Sequence, residues 1–314
     1  MKKLAVLMWI ACFVVSVHAS SYVWNQTGTM VYDGLGADSD INPYVQDTGS
    51  ADVAMGNGTG SVASLTVLSG TLTIAENTSW GDKVGHMPGS GTPAYDFQGA
   101  VIVENGATLN WNVNNDNEDR MMFGNNNRMG SDSTLKRGIA NVTLNGGAFN
   151  IIGDTGMTHA ERQVRFGSDG GIGNLILNAG TMTISVELPV AFGDKWLNGG
   201  TSWTTAANAS VSTMTIDDGS LAITGSSIFG VGANDKINFL TGGTGMLSIL
   251  NWTSTEFTGL IGKLQIDGVD VTDLSGFTFV DGGNGAQGTL SLIPEPATLA
   301  LLGLGAMGLI SRKK

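Results

Sequence analysis

The residues best equipped for chemistry lie between positions 154 and 165. Asp154, His159, Glu161, Arg162 and Arg165 bring an acid, an imidazole and two guanidiniums into one short stretch. On a β-helix scaffold such a set suits a polysaccharide lyase, with an Arg as base and a carboxylate holding a metal. Their closeness in sequence predicts a single solvated loop, which is the simpler account of the cluster. His86 sits in a Gly/Pro-rich stretch, Gly81 to Gly91, that predicts an exposed loop. Carboxylate pairs such as Asp38 with Asp40, Glu118 with Asp119 and Asp217 with Asp218 arise in any acidic chain and do not mark a hydrolase.

Metal and thiol chemistry are as sparsely encoded. Asn112, Asn114, Asp116 and Glu118 alternate oxygen ligands as a calcium loop begins, but Asn117 stands where such a loop needs Gly and Phe123 where it needs Glu. Calcium is therefore the one cofactor left open, against Asn-rich surface turns, and no other is expected. Gly-x-Ser-x-Gly, His-Glu-x-x-His and Gly-x-x-x-x-Gly-Lys-Ser/Thr are all missing. The single cysteine, Cys12, falls in an N-terminal apolar run expected to be removed, which excludes thiol catalysis and disulfides from the mature chain. The expectation is a non-enzymatic protein, with a polysaccharide lyase or hydrolase as the alternative.

The body that would position any such residue is repetitive. An apolar–polar–polar–Gly–small–apolar–polar–apolar phrase reads Val67 to Ile74, Leu144 to Ile151, Leu177 to Ile184 and Ile216 to Ile223. A looser copy runs Val103 to Trp111, and degraded copies occupy Gly245 to Ile249 and Gly288 to Leu292. The central glycines are spaced by 36, 41, 33 and 39 residues, and Phe-Gly recurs between copies at 123, 166, 192 and 229. Such a period marks a stacked repeat architecture. Alternation of period two on both sides of the Gly predicts two short strands joined at a bend. The fold class is all-β, a right-handed parallel β-helix or solenoid of Gly-rich repeats, with a β-sandwich as the alternative. No helical run is expected between residues 20 and 293; His159 to Arg165 comes nearest and is too short.

The termini carry a different kind of information. Lys2 and Lys3, an apolar Leu4 to Val17 and small residues up to Ala19 predict a signal peptide over 1–19, cleaved before Ser20. At the other end Pro294-Glu295-Pro296 precede an apolar Ala297 to Ile310, then Ser311 and the basic stop Arg312, Lys313 and Lys314. As a helix, 297–310 would span about 21 Å, short of a hydrocarbon core of roughly 30 Å. The basic stop would remain cytoplasmic. This tail resembles the PEP-CTERM sorting signal, with Ile293 where that family more often has Val. The resemblance implies an exosortase-type processing enzyme as partner, transient residence in the inner membrane, and delivery to the envelope, surface or exterior of a Gram-negative bacterium. The β-strand repeat domain spans 61–293, and roughly residues 60 to 250 of the chain resemble the β-strand repeats of autotransporter passengers, while Tyr22-Val23-Trp24-Asn25 is similar to the Trp-Asn start of such exported proteins. Residues 20–60 are then an N-terminal cap.

Composition narrows the partners. Gly contributes 47 of 314 residues, and only 13% of residues are charged. The formal net charge is −12, and the two terminal signals hold five of the fifteen basic residues, so the body between them is more acidic still. Such a surface repels nucleic acid. Exposed Asn and Thr, with Trp80, Trp196, Trp203 and Trp252, suit contact with extracellular polysaccharide; burial in a core or cap is the other reading of each Trp. An ice-binding face would need an unbroken Thr-x-Thr ladder. Thr71/Thr73 and Thr181/Thr183 fit one, whereas Ala148/Asn150 and Ser220/Ala222 break it.

Overall fold

The computed structural model describes residues 19–32, 46–47, 53–55, 62–75, 83–87, 97–113, 121–126, 138–153, 164–168, 171–186, 190–193, 210–225, 227–229 and 234–293. Strands dominate them, and the chain alternates between two sheets. β1 (Ala19–Tyr32) opens the first sheet, and β2 (Gln46–Asp47) with β3 (Val53–Met55) opens the second. β4 (Val62–Ala75) returns to the first and β5 (Lys83–Met87) to the second. In the same way β6 (Phe97–Glu104) and β7 (Thr108–Val113) are followed by β8 (Met121–Asn126), and β9 (Gly138–Gly153) by β10 (Val164–Ser168). β11 (Ile172–Ser185) leads to β12 (Val190–Phe192), and β13 (Val211–Ile216) with β14 (Ser220–Ile223) to β15 (Ser227–Phe229). β16 (Lys236–Phe239) and β17 (Met246–Leu250) make a last pass through the first sheet. One repeat unit is thus one pass through each sheet.

The repeated phrase is what stacks. Val67, Val103, Leu144, Leu177, Ile216 and Phe239 pair in register along parallel neighbours, and all are buried. Beyond the bend, Leu72, Leu109, Phe149, Met182, Leu221 and Leu247 form a second buried row. Each such side chain contributes roughly 1.5–3 kcal/mol by leaving water. The bend falls at glycines with left-handed φ, such as Gly146 (112°) and Gly180 (88°), inside single continuous strands. We call the segment before the bend the first arm and the segment after it the second arm. Antiparallel pairing, the rule in an immunoglobulin-type sandwich, is confined among the described residues to β2–β3 and the C-terminal strands.

The Phe-Gly marker builds the second sheet. Phe123, Phe166, Phe192 and Phe229 are register partners on β8, β10, β12 and β15. The rings of Phe123 and Phe166 stack at 4.5 Å and 10°, and those of Phe166 and Phe192 at 4.9 Å and 7°. Gly124 and Gly167 have positive φ, and a Cβ on either would overlap the carbonyl of Ile172 or Val211 where the chain re-enters the first sheet. The marker is therefore a core ring followed by a corner with no room for a side chain.

Three expectations need correction. The stretch containing His86 is not all loop: β5 runs through it, with His86 opposite Asn125. A helix does form, α1 (Ser254–Thr258); a capping box made by Thr253 and Glu256 starts it, and five residues are too few for periodicity to betray. The last degraded copy is not another parallel rung. After β18 (Leu264–Ile266) and β19 (Val269–Asp270), the strands β20 (Phe277–Val280) and β21 (Gln287–Leu292) close the end of the core, and β21 runs antiparallel to β17, with Leu290 opposite Leu247. Alternation specifies which face of a strand is apolar, not its direction.

This C-terminal cap buries Phe257, Leu260, Leu264, Phe277 and Leu290. Trp252 is half-buried and meets Phe257 edge-on at 5.2 Å, so it is a packing residue of the cap. At the other end, the stretch with Trp24 and Asn25, expected as a cap, pairs as a strand: β1 runs parallel to β4, from Ala19 opposite Val62 to Tyr32 opposite Ile74.

Candidate functional site

Two features organise the molecule's outward chemistry: rows of neutral polar side chains on the first sheet, and the point where the chain leaves the cap. In the second arm every inward apolar residue alternates with an outward one. Thr71, Thr108, Ala148, Thr181 and Ser220 align as one lane. Thr73, Asn110, Asn150, Thr183 and Ala222 align as the next. Within it Asn110 Nδ2 donates to Thr73 Oγ1 (3.2 Å), and Asn150 Nδ2 to Asn110 Oδ1 (2.9 Å). The register thus keeps the interruption of the Thr ladder that the sequence implied. On the first arm Asn174 Nδ2 donates to Asn141 Oδ1 (2.9 Å), and Thr213 Oγ1 to Asn174 Oδ1 (2.6 Å). At the bend Asn178 donates to Asn145 (2.8 Å), which donates to Glu104 (3.0 Å). Parallel pairing brings like positions together, and an amide both donates and accepts, so Asn continues such a row where a carboxylate would repel its neighbour.

Carboxylates take over at the C-terminal end. Asp267 accepts from the Thr241 hydroxyl (2.7 Å) and N–H (3.0 Å), which hold its carboxyl below the usual range. Asp270 accepts from Lys236 and Gln265, both at 2.8 Å, with the same consequence. Ser275 lowers Asp273, and Thr253 lowers Glu256. Asp218 accepts from the Thr244 N–H (2.9 Å) and hydroxyl (3.1 Å). Asp270 thus meets an ammonium and a side-chain amide, while the other groups satisfy turn N–H groups and hydroxyls, the duty of Asx-type caps.

Among the described residues, sequence reasoning missed a buried carboxylate. Asp235 is 3% exposed and accepts from the Ser212 N–H at 2.9 Å; it lines a small pocket with Lys236, Lys263, Phe192 and Met214. Burial lowers the Lys263 ammonium's affinity for its proton, and the charge of Asp235 works against that. Its signal was present in the sequence only as an unremarkable Asp-Lys pair before a strand.

The catalytic candidates fare differently from one another. Arg165 is a correction: it is 3% exposed on β10, opposite Met122 and Ala191, and so belongs to a sheet rather than a solvated loop. Asp154, His159 and Arg162 lie outside the described residues. Of the calcium candidates, Asn112 is half-buried on β7 opposite Ile152, and Asn114, Asp116 and Glu118 lie outside the described residues. Among the described residues no group of three His, Cys, Asp or Glu side chains could hold a metal ion. Trp80, Trp196 and Trp203 also lie outside them.

The chain leaves the cap along β21. Phe277 pairs with Leu292, and the Ile293 N–H donates to the Gly276 carbonyl at 3.0 Å, so the backbone is held in place up to Ile293. Pro294, Glu295, Pro296, the apolar 297–310 and the basic stop lie outside the described residues, as do 1–18. Residues 292–314 match the family model of the PEP-CTERM protein-sorting motif. The PEP-CTERM motif supports an exported bacterial protein of the cell envelope or surface, sorted and processed by an exosortase-type membrane enzyme. The match begins at the last residue of β21, so the folded cap and the motif share a boundary. Neither a curated protein nor a solved structure matches the chain significantly. Among the described residues no helix is long and apolar enough to cross a membrane.

Proposed function

We propose that this is a non-enzymatic display protein. It is sorted by an exosortase through its C-terminal motif and presented in the envelope or matrix of a Gram-negative bacterium as a right-handed β-helical rod, similar in kind to autotransporter passengers, that contacts polysaccharide. The observation that carries the reading is the junction at Leu292–Ile293, where a sorting motif follows a closed strand stack with no linker. Parallel, in-register pairing at one pass per repeat supports the rod. Neutral outward lanes support glycan contact, and the acidic net charge opposes nucleic acid. Three extended residues reach about 10 Å, so the cap is the end of the rod held nearest the membrane before processing.

Intact mass and fractionation test the proposal. In cells with the processing enzyme the mature protein should lack residues beyond the motif and leave the membrane fraction. Replacing Pro294, Glu295 and Pro296 by Ala should leave a full-length tail in that fraction. Equal masses with and without the enzyme would overturn the sorting mechanism. Turnover of a uronic-acid polymer by purified protein, lost in Arg162→Ala, would overturn the non-enzymatic reading.

A further inference from the structure

Charge is distributed unevenly over this acidic chain. The two outward lanes of the second arm contain no ionisable residue from β4 to β14, and neither does the lane beside them, Asn112, Ile152 and Ser185. The first arm's lanes Ser64–Ala100–Asn141–Asn174–Thr213 and Thr66–Ile102–Thr143–Ile176–Thr215 are uncharged over β4 to β13 as well, but the former runs on to Lys236 on β16. The second arm is also the more open face. Over β9 to β13 its Thr181, Ser185 and Ile152 (43%) are exposed and its other outward residues half-buried, whereas every outward residue of the first arm there is half-buried.

We propose that the outer face of the second arm is a binding surface for an extended, uncharged glycan lying along the stack, across the strands. This rests on the display reading above and names the ligand class and the face. Successive strands are about 4.8 Å apart, so the two lanes together offer hydroxyl and amide groups at a short spacing, interrupted at Ala148 and Ala222. After its ladder bond each Asn amide still has a second N–H and a second lone pair for a sugar hydroxyl. Ala148, Ile152 and Ala222 supply apolar patches for the C–H faces of sugar rings. Charge selects among occupants. A second copy would bring another net charge of −12 into contact, and an anionic polymer would meet the same field, whereas a neutral glycan meets no such repulsion. A face free of charge also imposes no desolvation of ions when covered.

The test is co-sedimentation of the detergent-solubilised full chain with cellulose and with chitin, beside alginate beads, and sedimentation velocity without polymer. Wild type should bind at least one neutral polymer and not alginate. Thr181→Lys and Thr108→Lys should each weaken that binding by about tenfold or more, as a charge forced into a dry contact does. Thr215→Lys on the first arm should bind as wild type does, and all three should melt within a few degrees of it. Absence of binding to both neutral polymers overturns the proposal, as do stronger binding to alginate and self-association that Thr181→Lys abolishes. Binding that survives both second-arm variants overturns this face but leaves the display reading intact; the tail-mass experiment decides that reading separately.

Discussion

The repeat stack and the C-terminal cap solve the same problem with different chemistry. In the stack, polar groups meet their own kind: Asn174 bonds Asn141 across 33 residues, and Asn150 bonds Asn110 across 40. In the cap, carboxylates meet turns: Asp267 holds Thr241, and Glu256 holds Thr253. The difference follows from strand direction. Parallel in-register strands place like residues side by side, where two carboxylates repel and two amides bond. Where strands reverse, turns expose N–H groups that an acceptor-only carboxylate suits. The stack should therefore be sensitive to shape and the cap to pH.

The sharpest break of that contrast is at glycine. Gly167→Ala places a Cβ on the Val211 carbonyl at a φ of 61°, and should cost about 4 kcal/mol. Gly106→Ala has a similar φ of 77° but open space, and should cost only about 1–2 kcal/mol. Denaturant unfolding followed by circular dichroism measures both, and equal losses would show that crowding at the Phe-Gly corner is unimportant. Comparable in size, Phe166→Ala removes the middle of the ring stack and should cost about 3–5 kcal/mol. Phe279→Ala in the cap, 43% exposed, should cost less than about 1 kcal/mol.

A smaller effect tests the amide rows. Asn110→Ala removes two inter-strand bonds from part-buried groups and should cost about 1–2 kcal/mol by thermal melting, with ligand-free secondary structure unchanged. The smallest effect is reserved for acid. The Asp267, Asp270, Asp273 and Glu256 carboxyls all have folded pKa values below their unfolded ones. Their contribution is complete above the unfolded values, near pH 4, and is lost as pH falls through the folded values. Amides of β20 and β21 should then exchange faster on moving from pH 5 to pH 3, after correction for intrinsic rates, while those of β9 and β11 hold. Uniform loss across both regions would erase the distinction.

Much of the stack was legible because its signal is redundant. Each copy of the phrase states the same alternation, so Leu144, Leu177 and Ile216 identify one buried row without coordinates. The Phe-Gly marker was visible as a recurrence, but that its rings stack on one another depends on partners 26 to 43 residues away. The cap was poorly legible because nothing in it repeats. Gly288 to Leu292 carries the phrase's alternation, and alternation is silent on whether a strand runs with or against its neighbour. Arg165 misled for a related reason: its charge argued for solvent, while its neighbours Val164 and Phe166 placed it in a sheet.

The sequence by itself determined the period-two strands, the glycine bends and the address at 292–314, because each is written in local residue order or in a contiguous motif. Tertiary structure alone decided which Asn meets which, that β21 reverses, and that the second arm presents a face without charge. Those depend on register and direction, and both are set when distant segments pack, not by any residue's own preference.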